Sequence, residues 1–178
     1  AVYTLLEDHL GCRWWAPDAA TIPKSKTLTL PGKLNVRYAP PLEYRFPFWT
    51  EAFDPDWAVR NKANGSTRLD EKRGGYTDHG GVHTFYRYIP PKGYFEQHPE
   101  WFSQINGKRK HQRAQLCLTN EAMRDELIRN LKAYMRKNPS PPIYSVSQND
   151  WHGYCTCDNC NALAERYGGQ SGIMVWFV

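Results

Sequence analysis

Three cysteines lie close together in the segment Cys155-Thr156-Cys157-Asp158-Asn159-Cys160. Thiolates are soft ligands, and a segment this short can direct several sulfurs at one tetrahedral ion. The fourth ligand of such a site must come from elsewhere, and Cys117 is the candidate because it ends a neighbouring predicted strand. The pattern predicts a structural zinc site with four cysteine ligands and no open position for catalysis.

Two other states of these thiols are compatible with the sequence. The chain has five cysteines, so at least one is either unpaired or a metal ligand, and Cys12 is the predicted bystander. Two of the other four could form a disulfide in an oxidising compartment, or all four could be free thiols. The compact spacing ranks zinc ahead of a disulfide.

A second group of reactive side chains directly precedes the cysteines. The predicted strand over residues 143–148 is followed by Asn149-Asp150-Trp151-His152. In α/β sheets the functional residues gather at the carboxyl ends of strands. Asp150 is therefore the candidate acid, and an apolar neighbour such as Trp151 suits a carboxyl group that gives up a proton during catalysis. The competing interpretation is an Asx turn in which Asp150 only caps a helix.

The elements that must position these residues alternate between strands and helices. Strands are predicted over residues 44–50, 82–88, 115–119 and 143–148. Their starts lie roughly 30 residues apart, the length of a βαβ unit, which favours parallel strands joined by helices. The clearest helix begins after the N-cap Asn120 and ends before Pro139, and further helices are predicted over residues 54–61 and 161–167. This order predicts an α/β fold, either a barrel or a doubly wound sheet.

Composition narrows the class of protein. The 178 residues suit one ordinary domain or a piece of a larger protein, and 40% apolar with 23% charged residues is typical of a globular chain. The longest apolar run, residues 173–178, is far shorter than the ~20 residues that span a bilayer. No membrane span is therefore predicted.

A net charge of +5 raises the possibility of a nucleic-acid partner. Most of this charge is local, because Lys108, Arg109, Lys110 and Arg113 supply +4. These residues follow Asn106-Gly107, a strong signal for a β-hairpin turn. A zinc-knuckle module that binds nucleic acid is the less favoured alternative, since Asp158, Asp150 and Glu165 near the cysteines would repel phosphates.

Both ends of the sequence suggest a piece of a longer protein. The chain begins without Met, inside a helical pattern in which Val2, Leu5, Leu6 and Leu10 share one face and Gly11 suits the C-cap. The last six residues are all apolar and would need a partner. A signal peptide can be neither seen nor excluded.

Several motifs together resemble a known family. They are Leu-Gly-Cys-Arg-Trp-Trp at residues 10–15, His-Pro-Glu-Trp-Phe at 98–102, Leu-Cys-Leu-Thr-Asn at 116–120 and Asn-Asp-Trp-His-Gly-Tyr-Cys-Thr-Cys at 149–157. The resemblance is to a bacterial family of unknown function placed among the glycoside hydrolases. Its members resemble α-glucuronidases and β-hexosaminidases, in which a small α/β domain precedes a TIM barrel.

The resemblance implies a domain organisation and a setting. Residues 1–42 would be the tail of the leading α/β domain and a connector, and residues 43–178 would be strands one to four of the (β/α)8 barrel. A full barrel takes ~250 residues, so about half of it would lie outside this sequence. The resemblance also implies a secreted or periplasmic protein that acts on an oligo- or polysaccharide.

Glycosidases usually need two carboxylates that flank the scissile bond. By resemblance, Asp150 at the end of the fourth strand would be the acid, or would polarise a substrate acetamido group, and its partner would lie in the rest of the barrel. The residues expected to bind sugar hydroxyl or carboxylate groups, or to stack on sugar rings, are Arg45, Trp49, His83, Tyr94, Asn149 and Trp151. The alternative is a barrel that binds sugars without cleaving them, which loss of the acid would favour. Here the acid is present.

Overall fold

The computed structural model describes residues 2–140 and 143–178. Ala1, the first residue of the predicted leading segment, lies outside the described residues. The chain forms two compact units, Ala1–His79 and Gly80–Val178. The boundary predicted between residues 42 and 43 falls inside the first unit.

The first unit contains two helices and one small antiparallel sheet. Its elements are α1 (Val2–Asp8), β1 (Arg13–Ala16), β2 (Ala19–Thr21), 3-10 turns over Thr50–Phe53 and Glu71–Arg73, and α2 (Pro55–Arg60). Helix α2 begins where the Asp54 carboxylate accepts a hydrogen bond of 2.7 Å from the Trp57 backbone N–H. The helix predicted over residues 54–61 is thereby confirmed.

The second unit is mainly helical. Its elements are α3 (Phe85–Tyr88), α4 (Pro91–Tyr94), a 3-10 turn over Pro99–Trp101, β3 (Gln104–Ile105), β4 (Lys108–Arg109), α5 (Glu121–Lys137), α6 (Asp158–Arg166) and α7 (Gln170–Phe177). Helix α5 begins at the predicted N-cap, because the Asn120 side chain accepts a hydrogen bond of 2.9 Å from the Met123 N–H. Among the described residues, no helix is both long and apolar enough to cross a membrane.

Aromatic and aliphatic side chains from helices and loops form the core of the second unit. Its buried members are Phe85, Tyr88, Ile89, Trp101, Phe102, Leu116, Met123, Leu127 and Phe177. A second, smaller cluster joins Ile173 of α7 to the buried sulfurs of Cys117, Cys155 and Cys160. Burial of apolar surface in these two clusters drives the unit to fold.

The predicted hairpin turn is confirmed. Strands β3 and β4 pair antiparallel, with Ile105 opposite Lys108. The turn residues Asn106 and Gly107 have φ values of 51° and 73°, which a type I′ turn requires and which Asn and Gly adopt at low cost.

The strand predicted over residues 82–88 is wrong, since Phe85–Tyr88 is helical. Phe85 and Tyr88 of this segment and the next residue, Ile89, are buried, and they stand at positions i, i+3 and i+4. That spacing puts them on one face of a helix, whereas a strand would place Phe85 and Tyr88 on opposite faces.

The other three predicted strands form no sheet ladder among the described residues. In residues 44–50, Pro47 cannot donate to a ladder and Phe48 has a φ of 57°, which is incompatible with a regular strand. Residues 115–119 make one isolated antiparallel bridge, between Leu116 and Phe102. In residues 143–148, the Ser147 carbonyl accepts hydrogen bonds of 3.0 Å from the N–H groups at positions 84 and 85 instead of from a strand. The barrel itself stays a prediction.

Candidate metal centre

The four predicted cysteine ligands come together in the second unit. One ligand atom from each of Cys117, Cys155, Cys157 and Cys160 lies within 4.8 Å of all the others. The Sγ of Cys117 is 3.7 Å from that of Cys157 and 3.8 Å from that of Cys160. Tetrahedral zinc with Zn–S bonds of about 2.3 Å holds its sulfurs about 3.8 Å apart. The cluster therefore has the spacing of a four-sulfur metal site.

Two of the ligands owe their positions to helix α6. Cys157 is its N-cap residue, and Cys160 lies three residues further on. Residues three apart in a helix lie on the same face, so this start of the helix turns both thiols towards one point. The other two ligands lie outside helix α6. Cys117 belongs to the extended segment before α5, and Cys155 belongs to the loop that leads into α6.

The electrostatics of the cluster favour a cation. Hydrogen bonds from Cys155 and Cys160 lower the pKa of Cys117. Conversely, the hydrogen bonds to Cys117 raise the pKa of Cys155, and they raise that of Cys160 to about 11. Ionisation of Cys117 thus disfavours ionisation of Cys155 and Cys160, because neighbouring negative charges repel one another. A divalent metal removes this restriction by binding all four as thiolates.

The disulfide alternative is not the arrangement in the structure. All five cysteines are free. The distance of 3.7 Å between the sulfurs of Cys117 and Cys157 is well beyond the ~2.05 Å of a disulfide bond. Cys12, the predicted bystander, is buried in the first unit.

The loop that precedes Cys155 is held from within by one buried amide. The Nε2 of Gln115 donates to the carbonyl oxygens of Asn149 at 2.8 Å and Trp151 at 2.6 Å. Its Oε1 accepts from the Asn149 N–H at 2.8 Å, and Asn149 Nδ2 donates to the carbonyl oxygen of Ala114 at 3.0 Å. Asn149 is thus buried and helps to hold the loop, and sugar binding by this residue stays a prediction.

On the same loop, Asp150 and Trp151 face outward. The Asp150 side chain is exposed, and among the described residues its carboxylate has no hydrogen-bond or ion-pair partner. The Trp151 side chain is 45% exposed. The loop therefore combines a fixed backbone with an accessible carboxylate and an accessible indole ring.

His83 lies beside this loop. Its Nδ1 is 3.0 Å from the carbonyl oxygen of Gln148, and its side chain is exposed. Its φ of 56° places it in the left-handed region, which non-glycine residues rarely adopt. The structure thus brings His83 to the end of the 143–148 segment, and sugar binding by His83 stays a prediction.

Tyr94 is engaged elsewhere. Its hydroxyl donates to Glu126 Oε1 at 2.6 Å and accepts from Asn130 Nδ2 at 3.0 Å, both on helix α5. Burial and the hydrogen bond to Glu126 raise the pKa of Tyr94. These contacts join α4 to α5, and sugar binding by Tyr94 stays a prediction.

Arg45 and Trp49 belong to the first unit. The Arg45 guanidinium donates to the carbonyl oxygens of Lys62 at 2.9 Å and Leu42 at 2.6 Å, so it closes a local loop. Trp49 is half exposed and makes an edge contact with the Trp57 ring at a centroid distance of 5.8 Å. Sugar binding by either residue stays a prediction.

Three residues around the cysteines were not predicted from the sequence. Gln115 fixes the loop, and Gln104 and Arg109 contact the sulfur of Cys155 at 3.3 and 3.7 Å. In the sequence, the feature that hints at a buried role for Gln115 is its position as a polar residue directly before the apolar residues 116–118. Arg109 was read only as part of a basic run.

A known protein family matches this chain over nearly its whole length. Residues 14–178 match the family described as Domain of unknown function (DUF4838). Because the match covers far more than half of the sequence, the chain belongs to that family. No curated protein and no solved structure matches the chain.

Proposed function

We propose that this chain is part of a glycoside hydrolase in which Asp150 acts on the sugar and the four cysteines hold a structural zinc ion. One observation carries the proposal. The backbone around Asp150 is fixed by Gln115 from within, while the carboxylate and the neighbouring indole stay open to solvent. Catalytic groups need this combination, since a displacement of about 1 Å can cost ~100-fold in rate.

The chemistry of the two exposed side chains suits a carbohydrate. A carboxyl group can protonate a glycosidic oxygen, or as a carboxylate it can polarise a neighbouring acetamido group. An exposed indole offers a flat apolar surface to the C–H face of a sugar ring. His83 contacts the Gln148 carbonyl, two residues before Asp150, and would add an imidazole as a hydrogen-bonding group.

The zinc ion would act through the loop and not on the substrate. Four cysteine sulfurs complete a tetrahedral shell, so no position remains for water or sugar. Cys155 follows Asp150 by five residues, and it is held to the hairpin by the Gln104 N–H at 3.3 Å. A metal at this point would fix the C-terminal end of the loop, as Gln115 fixes its middle.

The test of the catalytic role is Asp150→Asn in the protein that contains this chain, assayed on a panel of oligosaccharides, whose leaving hydroxyl groups need protonation. The substitution keeps the shape of the side chain and removes its charge. We expect turnover on the best substrate to fall by about 10²- to 10⁴-fold, the usual size of an acid–base contribution. The matched control is Asp125→Asn, an exposed acid on helix α5, which should keep full turnover.

Two results would contradict the catalytic role. One is a stable Asp150→Asn protein with unchanged turnover, which would leave Asp150 as a loop residue. The other is a wild-type protein that binds oligosaccharides but cleaves none, which would favour the non-catalytic carbohydrate-binding barrel. Metal analysis of the purified protein tests the zinc separately, with one zinc per chain as the expected result.

A further inference from the structure

The β3–β4 hairpin contacts the cysteine cluster through both of its strands. On β3, the Gln104 N–H donates to Cys155 Sγ at 3.3 Å. The Gln104 carbonyl in turn accepts from the backbone N–H and the hydroxyl of Thr156, both at 2.8 Å. The hairpin is therefore bonded to the ligand loop at Cys155 and again at the next residue.

On β4, Arg109 faces the same sulfur. Its Nη1 is 3.7 Å from Cys155 Sγ, 2.8 Å from the carbonyl oxygen of Phe102 and 3.2 Å from that of Glu100. Gln104 and Arg109 are also directly opposite each other in the hairpin. The two carbonyls thus hold the guanidinium in place beside Cys155.

The charge of a loaded centre explains why a cation would be needed there. Four thiolates and one Zn²⁺ sum to a charge of −2, and three of the four cysteines are buried. A buried net charge is costly unless an opposite charge or hydrogen-bond donors compensate it. Within the described parts of the chain, Arg109 is the cation found in contact with a sulfur of the cluster.

We propose that Arg109 is a positioning residue of the zinc centre, which acts through the sulfur of Cys155 and does not bind the metal. Its positive charge offsets the net negative charge of the zinc tetrathiolate. Its fixed guanidinium orients the sulfur of Cys155. This inference rests on the proposed zinc site. The neighbouring Lys108 is exposed, and among the described residues its side chain makes no hydrogen bond or ion pair with the cysteines, which makes it the matched control for charge in the hairpin.

The experiment compares the full chain with Arg109→Gln, Arg109→Lys and the control Lys108→Gln. Zinc affinity is measured by competition with a chelating indicator. Loss of an outer-sphere partner typically costs 10- to 100-fold in metal affinity, and we expect that loss for Arg109→Gln. Arg109→Lys keeps the charge but loses the planar fork, so its loss of zinc affinity should lie between that of Arg109→Gln and the wild type. Lys108→Gln should match the wild type.

A spectroscopic readout separates positioning from simple stabilisation. With Co²⁺ in place of zinc, the sulfur-to-metal charge-transfer band reports on the thiolates directly. We expect this band to shift in Arg109→Gln and not in Lys108→Gln, whereas a merely structural arginine would leave it unchanged.

Three outcomes bear on the inference. Equal zinc affinities for Arg109→Gln and Lys108→Gln would overturn it. Should Arg109→Gln fail to fold, an Arg109→Lys protein with the affinity of Lys108→Gln would overturn it as well. A wild-type chain that binds no zinc would instead refute the zinc site itself, which is a distinguishable failure.

Discussion

Gln115 and Trp151 are joined by a hydrogen bond of 2.6 Å from the side-chain amide to the backbone carbonyl. The same nitrogen reaches the Asn149 carbonyl at 2.8 Å, so one side chain bridges both sides of Asp150. Gln115 is 5% exposed, and its partners have little access to replacement water. The position of the Asp150 backbone therefore depends on an amide that lies far from it in the sequence.

Replacing this amide should destabilise the second unit. Gln115→Ala leaves at least two backbone groups of the loop without their partner, and an unsatisfied buried group costs ~1–3 kcal/mol. We expect the free energy of unfolding, measured by urea denaturation, to fall by about 2 kcal/mol or more. The control Gln112→Ala removes an exposed amide and should change it by less than about 0.5 kcal/mol. Equal stability of the two variants would mean that Gln115 does not hold the loop.

The cysteine cluster predicts a clear difference between two cysteine variants. Cys117→Ser removes one of the four sulfurs, and a hydroxyl is a poor replacement for a thiolate ligand. We expect zinc content per chain to fall from one to near zero after dialysis against a weak chelator. Cys12→Ser changes a buried cysteine outside the cluster and should keep one zinc per chain. Zinc retained by Cys117→Ser would show that the cluster is not the metal site.

The sequence predicts correctly those elements that are stabilised by residues close to them in the chain. Helix α5 carries its own N-cap and apolar face, and the Asn106-Gly107 turn carries the residues that a type I′ turn needs. The cysteine cluster was also predictable, because three of its ligands lie within one short segment and α6 orients two of them.

Elements that depend on distant partners were not predictable in this way. The segment around Phe85 has an apolar, β-prone composition, but its burial pattern is helical because the core covers one face of a helical turn. The partners of Gln115 lie 34 and 36 residues away, and no local pattern reports a hydrogen bond of that range. The contact of Arg109 with Cys155 is not predictable for the same reason, since its sulfur partner is 46 residues away.

Helix α5 provides a test of local stabilisation. Asn120→Ala removes the side-chain oxygen that accepts from the Met123 N–H, and loss of an N-cap costs ~1 kcal/mol. We expect a decrease of that size in the free energy of unfolding. Asn120→Ser keeps an acceptor at the N-cap and should restore most of the stability. A similar loss in both variants would point to packing of the asparagine and not to capping.

The last prediction concerns the close approach of two backbone segments at Gly153. A Cβ at this position would lie 2.3 Å from the Arg113 carbonyl oxygen and 2.9 Å from the Ala114 Cα. Both neighbours are backbone atoms, and Ala114 forms a parallel bridge with Gly153, so neither can move without breaking the contact between the hairpin segment and the loop. We expect Gly153→Ala to lower the free energy of unfolding by about 1–3 kcal/mol, as overpacking does.

The matched control for this change is Gly93→Ala, in helix α4, where a Cβ would meet nothing within 4 Å. Alanine is the better helix former, so this variant should be as stable as the wild type or slightly more stable. In Gly153→Ala the loop carrying Asp150 must also shift. Under the proposed function, turnover in the protein that contains the chain should therefore fall with stability, and it should stay normal in Gly93→Ala. Full stability and turnover in Gly153→Ala would mean that the two segments are not in close contact.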